Sequence, residues 1–191
     1  AILGSLSLMN QQPDLSANLV RLLASAQTGA QRAQILTKEF LSFARKGRHP
    51  QTKQRIPLKP FLRESADLVL TTRKIPYTLS FDEKLWSIEM SESALCQVVT
   101  NLLVNAAQAS TGSGRVYVTA RNHEQTSHQE GLNKGPYVKI SVRDEGIGIS
   151  AEHLSRLFTP YFTTKKEGNG LGLASCLGII KENGGTIRVQ S

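Results

Sequence analysis

The chain has 191 residues, 39% of them hydrophobic, and a net charge of +8 at pH 7. This length suits one or two domains with a modest hydrophobic core. No stretch is long and apolar enough to be a transmembrane helix, and no signal peptide is recognisable. We therefore expect this region to be cytoplasmic, in a parent protein that could still be membrane-anchored.

The positive charge is concentrated near one point of the chain. Residues 1–54 carry a net +5 and residues 55–191 a net +3, and basic residues gather between Arg45 and Lys53. Cations are favourable where a helix ends, and Gly47 and Pro50 in this run predict a linker over residues 47–55. Nucleic-acid binding is a weak alternative, because this region has no interleaved aromatic residues and no reader motif.

The N-terminal region has a heptad-like apolar pattern. The spacing alternates between four and three residues at Leu15, Leu19, Leu22, Ala26, Gly29, Ala33, Leu36, Phe40 and Phe43. Residues 1–12 are predicted to end a preceding helix, with a turn at Pro13 and Asp14. Two helices make too small a core alone, so we expect a homodimer through residues 1–46, forming a four-helix bundle. The alternative is one amphipathic helix packed on its own chain.

Residues 56–191 have the pattern of an α+β domain. A helix is predicted over residues 58–70 and a strand over residues 77–81. Two antiparallel strands follow over residues 115–121 and 137–143, with residues 122–136 as a long connection.

Before these antiparallel strands, a further helix carries two asparagines. Ser91 is a plausible N-cap, and Asn101 and Asn105 interrupt the apolar stripe that follows it. Being four residues apart, they share one helix face. An amide oxygen can bind Mg²⁺, which usually takes one or two protein ligands together with phosphate oxygens. Capping or interhelical hydrogen bonds are the alternative role.

Two glycine-containing stretches follow. In Asp144-Glu-Gly-Ile-Gly148 the carboxylate can accept a hydrogen bond from an exocyclic amine, while Gly146 and Gly148 allow backbone to approach a flat base. An ordinary acidic turn is the alternative. Gly168-Asn-Gly-Leu-Gly172 precedes an apolar helix, where backbone N–H groups can bind phosphate. A hinge into the helix is the alternative.

Together these stretches resemble the N, G1 and G2 boxes of sensor histidine kinases, and residues 157–165 resemble the F box. The resemblance covers roughly residues 91–190. It implies an α+β protein: a helical hairpin that forms a four-helix bundle on dimerisation, followed by a Bergerat-type α/β sandwich with a mixed sheet backed by helices. The domains would be residues 1–46, the linker 47–55 and an ATP-binding catalytic domain over 56–191.

The resemblance also implies site roles. Asn105 would ligate Mg²⁺, Asp144 would bind the adenine amine, and Gly146 and Gly148 would line the base pocket. Backbone of Gly168, Gly170, Leu171 and Gly172 would face the phosphates. Residues 158–169 would form a lid over ATP, in which Lys165 or Lys166 could meet phosphate charge; a solvated basic loop is the alternative.

Asn101 favours a kinase over an ATPase. Relatives that hydrolyse ATP have a glutamate general base at the matching position, and an amide cannot take a proton from water. We therefore expect γ-phosphoryl transfer to a histidine and relay to an aspartate of a response regulator receiver domain. A non-catalytic ATP-dependent dimerisation or scaffold module is the alternative function.

The four histidines of this chain do not match the phosphoacceptor. In the family it lies in the first helix of the hairpin, whereas His49, His123, His128 and His153 all lie elsewhere. We therefore expect a fragment cut at both ends, which binds ATP but does not autophosphorylate. Cys96 and Cys176 are predicted to be reduced core residues.

Overall fold

The computed structural model describes residues 18–27, 29–30, 52–110, 114–128, 131–165 and 168–191. The chain divides into two compact units, residues 1–49 and residues 50–191. In the first unit, residues 18–27 form helix α1, on which Leu19 and Leu22 are exposed. Among the described residues, none of the helices has both the length and the apolar character needed to cross a bilayer.

Several predictions on the N-terminal region lie outside the described residues. These are the helix before Pro13, most of the heptad pattern and most of the predicted linker. The helical hairpin, the homodimer and the domain boundaries therefore stay predictions.

The second unit contains two sheets in its described residues. Strand β1 (Gln54–Ile56) pairs antiparallel with β3 (Ile88–Met90). The larger sheet has the order β2 (Tyr77–Phe81), β4 (Val116–Gln125), β5 (Gly135–Asp144). β2 is parallel to β4, and β4 is antiparallel to β5. A parallel pair requires a long crossover, and here the crossover contains a helix.

That helix is α3 (Glu92–Ala109), and the others are α2 (Leu58–Ala66), α4 (Ala151–Leu154) and α5 (Gly172–Glu182). The Ser91 side chain accepts a hydrogen bond from the Ala94 N–H at 3.4 Å, which caps the first turn of α3. The buried core joins α2, α3 and β4; its largest fully buried side chains there are Leu58, Leu62, Leu95, Leu103, Val116 and Val118.

The predicted α+β class with a mixed sheet backed by helices is confirmed, and strand β2 has the predicted limits. The limits of other elements differ from the prediction. The connection predicted over residues 122–136 is shorter, because Asn122 pairs with Val138 and His123 with Tyr137, which extends both strands. The helix predicted over residues 58–70 changes after Ala66 into a π-helical turn, Asp67–Thr71.

One of the two cysteines is not a core residue. Cys176 is buried in α5, whereas Cys96 is exposed near the start of α3. The prediction for Cys96 was therefore wrong.

This difference predicts unequal thiol reactivity. Burial raises the pKa of the Cys176 thiol to about 11, so at pH 8 this group is both inaccessible and protonated. We expect one rapidly reacting thiol per chain with a disulfide reagent in native protein and two after denaturation. A Cys96→Ser variant serves as the control and should lose the rapid reaction, whereas a rapid second equivalent in native protein would contradict the burial.

Candidate functional site

Helix α3 contacts the start of α5 through Asn101. The Asn101 Nδ2 donates to the Gly172 carbonyl at 3.4 Å and lies 3.7 Å from the Cys176 Sγ. A Cβ at Gly172 would lie 3.6 to 3.8 Å from the Asn101 amide atoms, so the two segments are in close contact. These contacts hold the amide nitrogen of Asn101 toward α5.

One turn further along α3, Asn105 binds the ammonium group of Lys165. The Lys165 Nζ donates to the Asn105 Oδ1 at 2.9 Å and to the Gln108 Oε1 at 2.6 Å. Gln108 was not predicted as a site residue from the sequence. Asn101, Asn105 and Gln108 are spaced four and then three residues apart, which places Gln108 on the same helix face, and this periodicity could have revealed it.

Asp144 ends β5 beside the last turn of α3. Its Oδ1 accepts a hydrogen bond from the Gly146 N–H at 3.0 Å, which closes a short turn. A Cβ on Gly146 would lie 2.4 Å from the Ala109 carbonyl oxygen, and the Ile147 N–H donates to that oxygen at 3.4 Å. Only glycine permits this close approach of the loop to α3.

The next carboxylate, Glu145, is bound to the sheet instead. It accepts from the Tyr117 hydroxyl at 2.8 Å and from the Arg115 N–H at 3.1 Å. The Tyr117 hydrogen bond, supported by the Arg115 N–H, lowers the pKa of Glu145. The structure therefore distinguishes two adjacent carboxylates: Glu145 fixes the strand ends, and Asp144 lies at the loop that contacts α3.

The third predicted stretch, residues 168–172, leads into α5 and contacts the segment that contains Tyr161 and Lys165. Gly170 has φ +69°, and its carbonyl accepts from the Tyr161 N–H at 3.0 Å. The Gly168 N–H donates to the Lys165 carbonyl at 3.2 Å. The Leu171 N–H donates to the Asn169 Oδ1 at 3.1 Å, so a phosphate would have to replace this hydrogen bond.

Gly148 lies at the edge of this region. Its φ is +70°, and a Cβ there would lie 3.2 Å from the Ser191 Oγ, which accepts from the Ile149 N–H at 2.7 Å. Lys166 lies outside the described residues.

Lys165 gives the segment before α5 a positive charge, and Asp144 gives the end of β5 a negative charge. Partial desolvation lowers the pKa of Lys165, and the Asp144 carboxylate opposes this shift. Within the described ranges there is no cluster of three or more His, Cys, Asp or Glu side chains that could hold a metal ion.

The mixed sheet and the helices that back it have the fold of histidine kinase catalytic domains. Residues 90–191 match the family described as histidine kinase-, DNA gyrase B-, and HSP90-like ATPase. The chain belongs to this family, and its ATP-binding domain is of the sensor histidine kinase type.

Individual relatives agree with this assignment. The chain is 40% identical over 141 residues to the sensor histidine kinase ZraS of Escherichia coli (strain K12), an alignment that covers 72% of this chain and 28% of ZraS. The chain thus spans less than a third of this relative's length. The catalytic domain of histidine kinase ThkA, solved in a nucleotide-free form, is 27% identical with a TM-score of 0.55, covering 69% of this chain and 81% of that one.

A third comparison covers more of the chain. Full-length ShkA in complex with AMPPNP is 23% identical and has a TM-score of 0.70, covering 94% of this chain and 38% of ShkA.

Proposed function

We propose that this chain is the catalytic core of a sensor histidine kinase, which binds Mg²⁺-ATP and transfers the γ-phosphoryl group to a histidine outside this sequence. The phosphoryl group is then relayed to an aspartate of a response regulator receiver domain. The active unit is a homodimer through residues 1–46.

The observation that carries this proposal is the set of contacts that α3 makes with the two glycine stretches. Asn101 contacts Gly172 at the start of α5, and the Ala109 carbonyl accepts from the loop after Asp144. Two segments far apart in sequence, the loop after Asp144 and the start of α5, thereby contact α3. These contacts support one nucleotide site built from a carboxylate, amide oxygens and glycine backbone.

Each group has a chemical role in this proposal. Asp144 accepts from the adenine amine, which distinguishes adenine from guanine. Gly146 and Gly148 line the base, and backbone at Gly168, Gly170, Leu171 and Gly172 faces the phosphates. Asn101, held by α5, supplies no general base, which favours transfer to a side chain over water attack.

The side chains on α3 fit a magnesium ion. Mg²⁺ prefers oxygen ligands and is usually bound by one or two protein groups together with phosphates. The Asn105 Oδ1 already accepts a cationic group, the Lys165 ammonium, in this structure. Asn105 would therefore hold the ion, which supplies charge neutralisation at the phosphates during transfer.

Phosphoryl transfer can be tested by supplying the acceptor separately. The chain would be incubated with γ-labelled ATP and a histidine-bearing helical phosphotransfer domain from a sensor histidine kinase relative. We expect acid-labile, alkali-stable label on the acceptor with wild-type chain and none with Asn105→Leu. ATP binding without any label on the acceptor would instead support the non-catalytic scaffold function, which the sequence relatives do not favour.

A further inference from the structure

The Lys165 ammonium is bound by two neutral oxygens on α3. Its Nζ lies 2.9 Å from the Asn105 Oδ1 and 2.6 Å from the Gln108 Oε1, and no carboxylate within ion-pair distance joins them among the described contacts. Asn105 and Gln108 are three residues apart, so both side chains project from one face of the helix. Lys165 is 57 residues beyond Gln108, in the segment before α5.

Two convergent amide oxygens around a positive charge make a cation site. Carbonyl oxygens bind hard cations through their dipoles, and Mg²⁺ and an ammonium group compete for such ligands because both are compact positive charges. They cannot share the same pair of oxygens, since two cations at that separation repel each other strongly. The contact therefore has a consequence for metal binding.

We propose that Gln108 is a second oxygen ligand, with Asn105, for the nucleotide-bound Mg²⁺, and that the Lys165 ammonium occupies this position until the metal displaces it. This inference rests on the proposed function. Without nucleotide, Lys165 holds the lid segment against α3. Binding of Mg²⁺-ATP releases the lysine and with it the lid, so the main effect of Lys165 on nucleotide binding is competition with the metal.

The sign of one substitution distinguishes competition from phosphate binding. In Lys165→Met the competitor is removed, and we expect Mg²⁺-ATP to bind about tenfold more tightly in calorimetry, because the binding-competent fraction rises. Binding of ATP in EDTA should not tighten. The control is Lys139→Met, an exposed lysine on β5, which should leave both affinities unchanged.

Two results would contradict the proposal that the Lys165 ammonium occupies the metal position. Weaker binding of Mg²⁺-ATP in Lys165→Met would mean that the ammonium binds phosphate, as the sequence resemblance implies. Unchanged affinity of Lys165→Met for Mg²⁺-ATP would mean that the Lys165 ammonium does not compete with the metal for the Asn105 and Gln108 oxygens.

The role of Gln108 is tested where Lys165 cannot interfere. In a Lys165→Met background, a further Gln108→Leu change should weaken Mg²⁺-ATP binding severalfold while leaving ATP binding in EDTA unchanged. No difference between the single and double variants would exclude Gln108 as a ligand.

A nucleotide-free measurement separates this proposal from the proposed function. Hydrogen exchange of backbone amides in residues 158–165 should accelerate severalfold in both Lys165→Met and Gln108→Leu, but not in Lys139→Met. Circular dichroism would check that each variant is folded. Unchanged exchange would show that Lys165 does not hold residues 158–165 against α3, even if ATP binds. Accelerated exchange without any ATP binding would support the Lys165 contact but refute the nucleotide site.

Discussion

Asp144→Asn is expected to weaken Mg²⁺-ATP binding by about a hundredfold, since a charge-assisted hydrogen bond is lost and a mismatched donor replaces it. The structure determines which way the new amide points. The Gly146 N–H donates to the Asp144 Oδ1 at 3.0 Å, so the asparagine oxygen will take that place. Its amide N–H₂ group would then face the adenine amine, and two hydrogen-bond donors cannot pair with each other.

Calorimetric titration with ATP, and with GTP as a second ligand, measures this effect. The matched control is Asp82→Asn. Asp82 follows β2 at the end of the strand away from Asp144, where it contacts Arg121 at 3.5 Å. We expect near wild-type affinity in that control. Equal affinities in Asp144→Asn and wild type would place the base elsewhere on the domain.

Gly170→Ala is expected to displace the glycine backbone proposed to face the phosphates and to reduce Mg²⁺-ATP affinity by more than about tenfold, because the new methyl group cannot be accommodated. An added Cβ would lie 2.3 Å from the Tyr161 carbonyl carbon and 2.6 Å from the Phe162 nitrogen. Both are backbone atoms and cannot rotate away. The hydrogen bond from the Tyr161 N–H to the Gly170 carbonyl would be broken by the movement required.

Gly184 offers a matched control for this substitution. It has φ +74°, close to the +69° of Gly170, but a Cβ there would meet no atom within 4 Å. Alanine costs about 1–2 kcal/mol at either position for its left-handed backbone, so chemical denaturation of Gly184→Ala measures that strain alone. Gly170→Ala should be less stable than this control and should alone lose nucleotide affinity. If Gly170→Ala and Gly184→Ala have equal stability and equal Mg²⁺-ATP affinity, the close approach of Gly170 to Tyr161 is not required for nucleotide binding.

Much of the fold followed from local patterns. The alternation in residues 77–81 predicted strand β2, and the Ser91 cap with its apolar stripe predicted α3, because both patterns reflect burial on one face of a regular element. The strand limits near Asn122 were less predictable. They depend on pairing with residues 137–138 across the hairpin, and the polar composition there gives no sign of it.

The sequence by itself determined the class of protein and the candidate site residues. Motifs of this kind require particular residue types at particular spacings, so Asn101, Asn105, Asp144 and the glycines could be selected without coordinates. Their roles toward nucleotide and metal stay predictions until binding is measured.

Only the tertiary structure decided which groups contact one another. It separated Glu145, bound to Tyr117, from Asp144, and it brought Lys165 to Asn105 and to Gln108. It also exposed Cys96 while burying Cys176. The physical reason is that contacts between residues 28 to 60 positions apart depend on how helices and strands pack, which local periodicity does not record.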